Sequence, residues 1–339
     1  MLKGQECRLR LYLVRHGESE ANQQGVFAGQ LDSPLTECGV IDAKSLGETS
    51  EFIIVQPPAQ SQVLPLEHDP RERHSCHFDA VYSSDLIRAH DTCKLILEGL
   101  RTRKQNNLDK IVGKDHDGTA SDIASPSHDI QLDQRLRERS YGTLQGMPWS
   151  SDRNDTDKIW TDSHEKDELP PIFESDDDIW IRVKDFLLEM VEDELLSTRN
   201  IETWKQMNCN DAGKAPTVNN AIPTKHILIT SHGGVLRQIL MRLVGVDQLK
   251  KRGAVFDTKR KNRLITPNTS LTILDLSVRC KQQHANSRGE NEEESTSASY
   301  DSNLREDGDN DDDLKDIQVD MIVFANTDHL KAEVRIHDD

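Results

Sequence analysis

Short β-rich segments alternate with helical patterns along this chain. The strand-like segments are bounded by polar residues or glycine: 8–14, 78–83, 226–231, 270–276 and 318–325. The helical patterns lie between and after them: 36–54, 85–100, 175–197 and a segment that begins after Gly233 and ends at Gly245. Strands that alternate with helices indicate a mainly parallel sheet covered on both faces. The sequence therefore predicts an α/β fold, a three-layer domain with a mainly parallel central sheet flanked by helices.

Four segments interrupt this alternation. All are rich in Pro, Ser, Asn, Asp or Gly: 56–77, 104–129, 206–223 and 280–316. Segments of this length without a periodic pattern are usually functional loops or disordered. We interpret them as insertions in a single domain that comprises residues 1–339.

The charge of the chain is unevenly distributed. The net charge is −18, and twelve carboxylates against two basic residues lie between Glu290 and Asp316. This composition is typical of a solvated, disordered loop. A basic run at 250–263 is interpreted either as a solvated face or as a site for a second substrate phosphate. The sequence has no basic stripe of the kind that nucleic-acid-binding proteins carry, so no nucleic-acid partner is expected.

Hydropathy and cysteine usage indicate a cytoplasmic protein. No segment approaches the roughly 20 apolar residues that a membrane span requires, and the N-terminal residues resemble no signal peptide. The six cysteines are scattered without a Cys-x-x-Cys pair, as in reduced, intracellular proteins. His68, His74, Cys76 and His77 have spacings that match no common zinc site. We therefore predict no metal and no membrane partner.

Charged and polar side chains follow the strand-like segments. "LYLVRHGESEAN" brings Arg15 and His16 to the end of the first strand, and "ILITSHGGVLR" brings His232 to the end of another. "VYSSDLIRAHDT" places Arg88 near the start of a helix, and "LRERSYGTLQG" places Glu138 between two arginines. Because ligands bind beyond the carboxyl ends of strands in open α/β sheets, we expect these side chains to converge. They would supply a nucleophile, a carboxylic acid and cations suited to a phosphoryl group.

Together these blocks resemble the histidine phosphatase superfamily, the phosphoglycerate-mutase-like enzymes. The resemblance covers five stretches of the chain: 9–100, 132–150, 171–190, 224–276 and 318–330. Within the superfamily, "LRERSYGTLQG", "TPNTSLTILDL" and the late "DHL" are most similar to the fructose-2,6-bisphosphatases of the TIGAR type.

The resemblance implies a phosphatase without a cofactor that acts on a small phosphorylated substrate, with fructose-2,6-bisphosphate first among the phosphosugars. His16 would attack phosphorus and form a phosphohistidine. Glu138 would protonate the leaving oxygen and then take a proton from the attacking water. Arg15, Arg88 and His232 would donate hydrogen bonds to the phosphoryl oxygens.

The substrate-binding residues and the substrate itself are less determined by the motifs. We assign five residues to substrate binding: Asn22, Gly29, Gln30, Tyr141 and Gly233. Asn22 and Gln30 could equally be polar loop residues, and Gly29 is expected to allow a close backbone approach. The segment "PPIFES" has Ile172 and Phe173 where the family has glycines. Because that loop borders the substrate, the chemistry carries over better than the identity of the substrate.

Three other functions stay open at this point. Phosphoglycerate mutases carry a tryptophan near the position of Gln30, which this chain lacks. A phosphatase of broad specificity, or one directed at phosphopeptides, is compatible with the altered "PPIFES" loop. A non-catalytic binding module would be marked by loss of a catalytic residue, and all five inferred catalytic residues are present.

Overall fold

The computed structural model describes residues 6–49, 78–112, 129–150, 172–196, 224–257, 263–279 and 317–327. This part of the chain contains eight strands: β1 (Glu6–Arg15), β2 (Ala80–Ser83), β3 (Ile130–Leu132), β4 (Thr224–Ser231), β5 (Phe256–Asp257), β6 (Arg263–Leu264), β7 (Leu271–Arg279) and β8 (Ile317–Asn326). It also contains six α-helices: α1 (Glu20–Gln24), α2 (Glu37–Glu48), α3 (Ile87–Val112), α4 (Asp176–Val191), α5 (Gly233–Leu243) and α6 (Val246–Lys251).

Six strands form the central sheet in the order β3-β2-β4-β1-β7-β8. The pairs β1–β4, β2–β4 and β2–β3 are parallel, whereas β7 runs antiparallel to both β1 and β8. β5 and β6 form a separate antiparallel pair. The predicted α/β fold with a mainly parallel sheet is confirmed.

Side chains of β1 alternate between two apolar layers, as expected for a strand buried on both faces. Leu9, Leu11 and Leu13 belong to a core that includes residues of α4 and α5. Tyr12 and Val14 belong to the core on the other face, with residues of α2 and α3. Burial of each such side chain contributes about 1.5–3 kcal/mol, so the helical layers hold the sheet rigidly below the site.

The helices begin at the predicted positions, but one is longer than the pattern indicated. Thr36 caps α2, its hydroxyl accepting from Gly39 N–H at 3.1 Å, and Ser175 caps α4 in a capping box with Asp178. α3 continues to Val112 rather than ending near 100. The interpretation of 104–129 as an insertion without regular structure is therefore wrong for its first nine residues.

The other predicted insertions, 56–77, 206–223 and 280–316, lie outside the described residues, as does 258–262 of the basic run. None of the helices in the described ranges is long and apolar enough to cross a membrane.

Candidate active site

The carboxyl ends of β1 and β4 place two histidines side by side. Because the two strands are parallel and Arg15 lies opposite Ser231, the residues that follow leave the sheet together. His16 N–H donates to Ser231 C=O at 2.9 Å, which fixes this register at the end of the sheet. The ring centroids of His16 and His232 are 5.0 Å apart, and both side chains are fully buried.

His16 is held in one tautomer by its own neighbour. Its Nδ1 lies 2.7 Å from Gly17 C=O, and since a carbonyl only accepts, Nδ1 carries the hydrogen. The other nitrogen, Nε2, is then the unprotonated one that can attack an electrophile. Burial, followed by the positive charges of Arg88 and Arg15, holds the pKa of His16 well below its ordinary value, so the ring is neutral.

Two arginines flank this ring and are almost fully buried. The guanidinium of Arg15 donates from Nη1 to Thr266 C=O at 2.6 Å. Arg88 donates from Nη1 to Leu31 C=O at 2.9 Å and from Nη2 to Gly29 C=O at 2.6 Å. Backbone carbonyls therefore orient both groups while leaving them positively charged, an arrangement suited to a phosphoryl anion.

Glu138 is placed at the N-terminus of α5. Its carboxylate accepts from Arg139 N–H at 2.7 Å and from Gly234 N–H at 3.1 Å. A Cβ atom on Gly234 would lie 2.1 Å from Glu138 Oε1, so only glycine allows the carboxylate to come this close to the helix. Glu138 also acts electrostatically on His16, so a buried carboxyl group lies near this ring.

His232 is the residue that precedes α5, and its two ring nitrogens have different surroundings. Nε2 lies 2.9 Å from Ser84 Oγ. Nδ1 is buried and has no hydrogen-bond partner among the described residues. Burial, followed by the charge of Arg88 and the proximity of His16, lowers the pKa of His232 well below its ordinary value. This second ring is therefore neutral as well.

Gly29 and Gln30, both predicted to bind substrate, are anchored by the same glutamine. Gly29 has a φ of +51°, and a Cβ on it would lie 2.3 Å from Gln145 Oε1, so the side chain of Gln145 approaches its backbone closely. A close approach of substrate to Gly29 stays a prediction. Gln30 N–H donates to this oxygen at 2.7 Å. The side-chain amide of Gln30 donates to Glu138 C=O at 3.2 Å. The loop that carries both residues thus lies against the backbone of Glu138.

Asn22 and Gly233, two further predicted binding residues, lie close behind the histidines. Asn22 completes the capping box of α1, its Oδ1 accepting from Ser19 N–H at 3.1 Å and from Asn268 at 3.2 Å. A Cβ on Gly233 would lie 3.4 Å from the guanidinium carbon of Arg15, so the backbone of Gly233 lies against the Arg15 side chain.

Tyr141 belongs to a row of three aromatic rings. Its ring centroid is 4.9 Å from that of Phe27 and 6.0 Å from that of Phe173. Ile172, beside Phe173, is 82% exposed. The replacement of family glycines in this loop therefore adds one aromatic ring against Tyr141 and one exposed apolar side chain.

Sequence reasoning missed three residues that contact or adjoin the site. Asn268 donates from Nδ2 to His16 C=O at 3.1 Å and to Gly17 C=O at 3.2 Å, so it holds the backbone at His16 in place. Ser84 contacts His232, as described above. Arg237, on α5, is the third. All three lie inside segments recognised as motifs, but their contacts arise only from the tertiary fold.

Arg237 carries a guanidinium that is largely buried but still partly exposed to solvent. Its Nε donates to Leu264 C=O at 3.1 Å, and part of its side chain reaches solvent. Burial, followed by the charge of Arg263, lowers the pKa of Arg237 to about 9. The charges of Tyr141 and Glu138 act on it in the opposite direction, which places Arg237 on the Glu138 side of the site.

We expect the acid limb of kcat/KM to lie below the pH at which exposed histidines titrate. If His16 attacks phosphorus, as the resemblance implies, its ring must be neutral, and burial and the two arginines lower the pKa of His16. The free energy of unfolding should depend on pH in the same direction. His16 and His232 are buried as neutral rings, so their contribution to stability is complete above the ordinary histidine pKa of about 6.5 and is lost as pH falls. The measurement is kcat/KM against pH for p-nitrophenyl phosphate, corrected for ionisation of the substrate. An acid limb centred at or above the ordinary histidine value contradicts the assignment.

Comparison with known proteins finds a family model, curated relatives and solved structures that are similar to this chain. The family model of the histidine phosphatase superfamily (branch 1) matches residues 11–57 and 116–198. Phosphoglycerate mutase of Schizosaccharomyces pombe (strain 972 / ATCC 24843) is 27% identical over 251 residues, covering 71% of this chain and 83% of that protein. Adenosylcobalamin/alpha-ribazole phosphatase of Salmonella typhi is 39% identical over 94 residues, 28% of this chain and 35% of that protein. Among solved structures, a mycobacterial glucosyl-3-phosphoglycerate phosphatase has a TM-score of 0.46 at 18% identity, covering 94% of this chain and 98% of the other.

The family model and the curated relatives thus make this chain similar to the histidine phosphatase superfamily, and the relatives named here are phosphatases and mutases.

Proposed function

We propose that this protein hydrolyses phosphosugars through a phosphohistidine on His16, with fructose-2,6-bisphosphate as its substrate. The observation that carries the phosphohistidine is the tautomer of His16, whose Nδ1–H is committed to Gly17 C=O at 2.7 Å. A neutral ring with a free Nε2, two buried arginines and a carboxylate beside it is what a two-step displacement at phosphorus requires.

The reaction proceeds in two displacements. In the first, Nε2 of His16 forms a bond to phosphorus, the P–O bond of the ester breaks, and Glu138 gives its proton to the leaving oxygen. In the second, Glu138 takes a proton from water, the oxygen of that water bonds to phosphorus, and the P–N bond breaks. His16 returns to its neutral form and inorganic phosphate leaves. Arg15, Arg88 and His232 stabilise the charge on the three transferring oxygens throughout.

Arg237 supports a substrate with a second phosphate. The guanidinium of Arg237 is partly desolvated and near Arg263, and both burial and the like charge lower its pKa. A second anionic group bound there would offset both effects. Since Arg237 and Glu138 act on each other, that group would lie on the leaving-group side of the transferred phosphate.

Arg237→Gln is expected to reduce kcat/KM for fructose-2,6-bisphosphate by roughly 10- to 100-fold, because a hydrogen bond to a charged group contributes about 1.5–3 kcal/mol. Hydrolysis of p-nitrophenyl phosphate, which has no second phosphate, should change little. Arg242→Gln is the matched control, since Arg242 lies on the same helix but pairs with Asp177 near the surface. Equal losses for both substrates in Arg237→Gln would contradict a second phosphate site.

Phosphoglycerate mutase is a second candidate, favoured by the names of the relatives that match most of this chain. A mutase returns the phosphoryl group from histidine to a phosphoglycerate instead of to water. Purified protein is incubated with 3-phosphoglycerate and a trace of 2,3-bisphosphoglycerate. Formation of 2-phosphoglycerate faster than release of inorganic phosphate would favour the mutase over the phosphatase.

A further inference from the structure

Ser84 occupies a fixed position against the second histidine. It follows β2 directly, its N–H donates to Thr230 C=O on β4 at 3.0 Å, and its side chain is fully buried. Its Oγ accepts from Leu86 N–H at 3.3 Å, a local turn that leads into α3. The same oxygen lies 2.9 Å from His232 Nε2. The backbone of Ser84 is therefore held against β4 and its hydroxyl by Leu86 N–H, within hydrogen-bond distance of the ring.

The direction of the Ser84–His232 hydrogen bond depends on where the hydroxyl hydrogen goes. A hydroxyl has one hydrogen to donate and two lone pairs that accept, and one lone pair of Ser84 Oγ accepts from Leu86 N–H. Among the described residues, Nε2 of His232 is the acceptor placed for that hydrogen. If Ser84 donates to Nε2, that nitrogen is unprotonated, and in a neutral ring the hydrogen lies on Nδ1.

We propose that Ser84 is a positioning residue that fixes His232 as its Nδ1–H tautomer, so that an uncharged ring offers a hydrogen-bond donor to the transferring phosphoryl group. The opposite tautomer would present the lone pair of Nδ1 to an anion and leave the hydroxyl hydrogen of Ser84 without a partner. The neutrality of the ring agrees with its lowered pKa beside Arg88. The role given to His232 rests on the proposed phosphatase function, whereas the tautomer itself can be measured without any substrate.

The first experiment reads the tautomer directly. Long-range ¹H–¹⁵N correlation spectra of ¹⁵N-labelled protein near pH 7.5 distinguish protonated from unprotonated ring nitrogens, and His232→Gln identifies the signals of His232. Wild type should show hydrogen on Nδ1, and Ser84→Ala should shift His232 towards the Nε2–H form. An Nε2–H ring in wild type, or an unchanged tautomer in Ser84→Ala, would overturn the proposal.

The second experiment measures catalysis in matched variants. Ser84→Ala should lower kcat by roughly 10- to 100-fold, at or below the scale for losing one donor to a transition state, with a smaller change in KM. Ser84→Thr, which keeps a hydroxyl, should retain the wild-type tautomer if it folds.

Ser83→Ala is the control for stability. Ser83 is also fully buried and donates from Oγ to Ser84 C=O at 2.8 Å, but it does not contact the ring. It should unfold at a similar temperature to Ser84→Ala and keep its kcat. Equal loss of kcat in both serine variants would overturn the positioning role. If the tautomer is as proposed but wild type hydrolyses no phosphomonoester, the inference on Ser84 stands and the proposed function fails.

Discussion

His16→Ala is expected to abolish turnover and to leave the protein without a phosphate label. Among the described residues, only His16 combines an Nδ1–H bound to a carbonyl with a second ring nitrogen that lies near two buried arginines. Removal of a catalytic nucleophile reduces kcat by about 10⁶-fold in a well-studied hydrolase, and a loss of this order is expected here. The measurement is incubation with a radiolabelled substrate, followed by a quench without acid, because phosphohistidine is labile to acid.

His90→Ala provides the comparison for this experiment. His90 lies on α3, is partly exposed and has no contact with the two site histidines, so this variant should label like wild type. A label that persists in His16→Ala would contradict the mechanism, as would a label that hydroxylamine removes from a carboxylate.

Glu138→Gln should slow hydrolysis of sugar phosphates by about 10²–10⁴-fold, the usual contribution of a general acid. Gly234→Ala should have a comparable effect without altering any titratable group, because its Cβ would lie 2.1 Å from Glu138 Oε1 and displace the carboxylate. Both variants should lose much less activity towards p-nitrophenyl phosphate, whose leaving oxygen needs little protonation.

Glu189→Gln controls for the loss of one negative charge, since Glu189 is paired with Arg135 on the exposed side of α4. This variant should keep the activity of wild type on both substrates. Equal losses for the sugar phosphate and p-nitrophenyl phosphate in Glu138→Gln would show that the carboxylate does not act as the acid.

The placement of Arg15, His16 and His232 at strand ends and of Arg88 at a helix start could be predicted from the strand and helix patterns. Glu138 lies in a loop after a short 3₁₀ turn, and only its sequence motif indicated it. Parallel strands that are neighbours bring their carboxyl ends together, so the strand order alone makes Arg15, His16 and His232 meet. β3 escaped prediction because three residues are too few to show a period of two.

The length of α3 could not be read from its polar second half. A helix that is already nucleated adds each further residue at little cost, so it continues beyond the point where apolar periodicity ends. For Asn22 and Gln30, the residue type indicates a polar contact but not whether the partner is protein or ligand. In the structure both make hydrogen bonds to neighbouring protein groups.

Asn268, Ser84 and Arg237 illustrate a different limit. Asn268 is 252 residues from His16 along the chain, and no local pattern connects them. The position of Arg237 could have been predicted from sequence, since it lies four positions after Gly233 and thus on the same face of a helix. Such a relation becomes informative only when the helix N-terminus is known to border the site.

The way the N-terminus of α5 is capped determines which residue would indicate loss of catalytic activity in a related protein. His232 provides no side-chain cap there, and the carboxylate of Glu138 accepts the N–H of Gly234 instead. Glu138, the proposed acid, therefore also caps the N-terminus of a core helix. This stabilising contact would be needed even in a protein without catalytic activity. A descendant that had become a pure binding protein would still be under selection to keep an acceptor at position 138. The ring of His16 caps no helix in the part of the chain that the structure describes. The identity of residue 16 is therefore a better indicator than residue 138 of whether such a protein is still catalytically active.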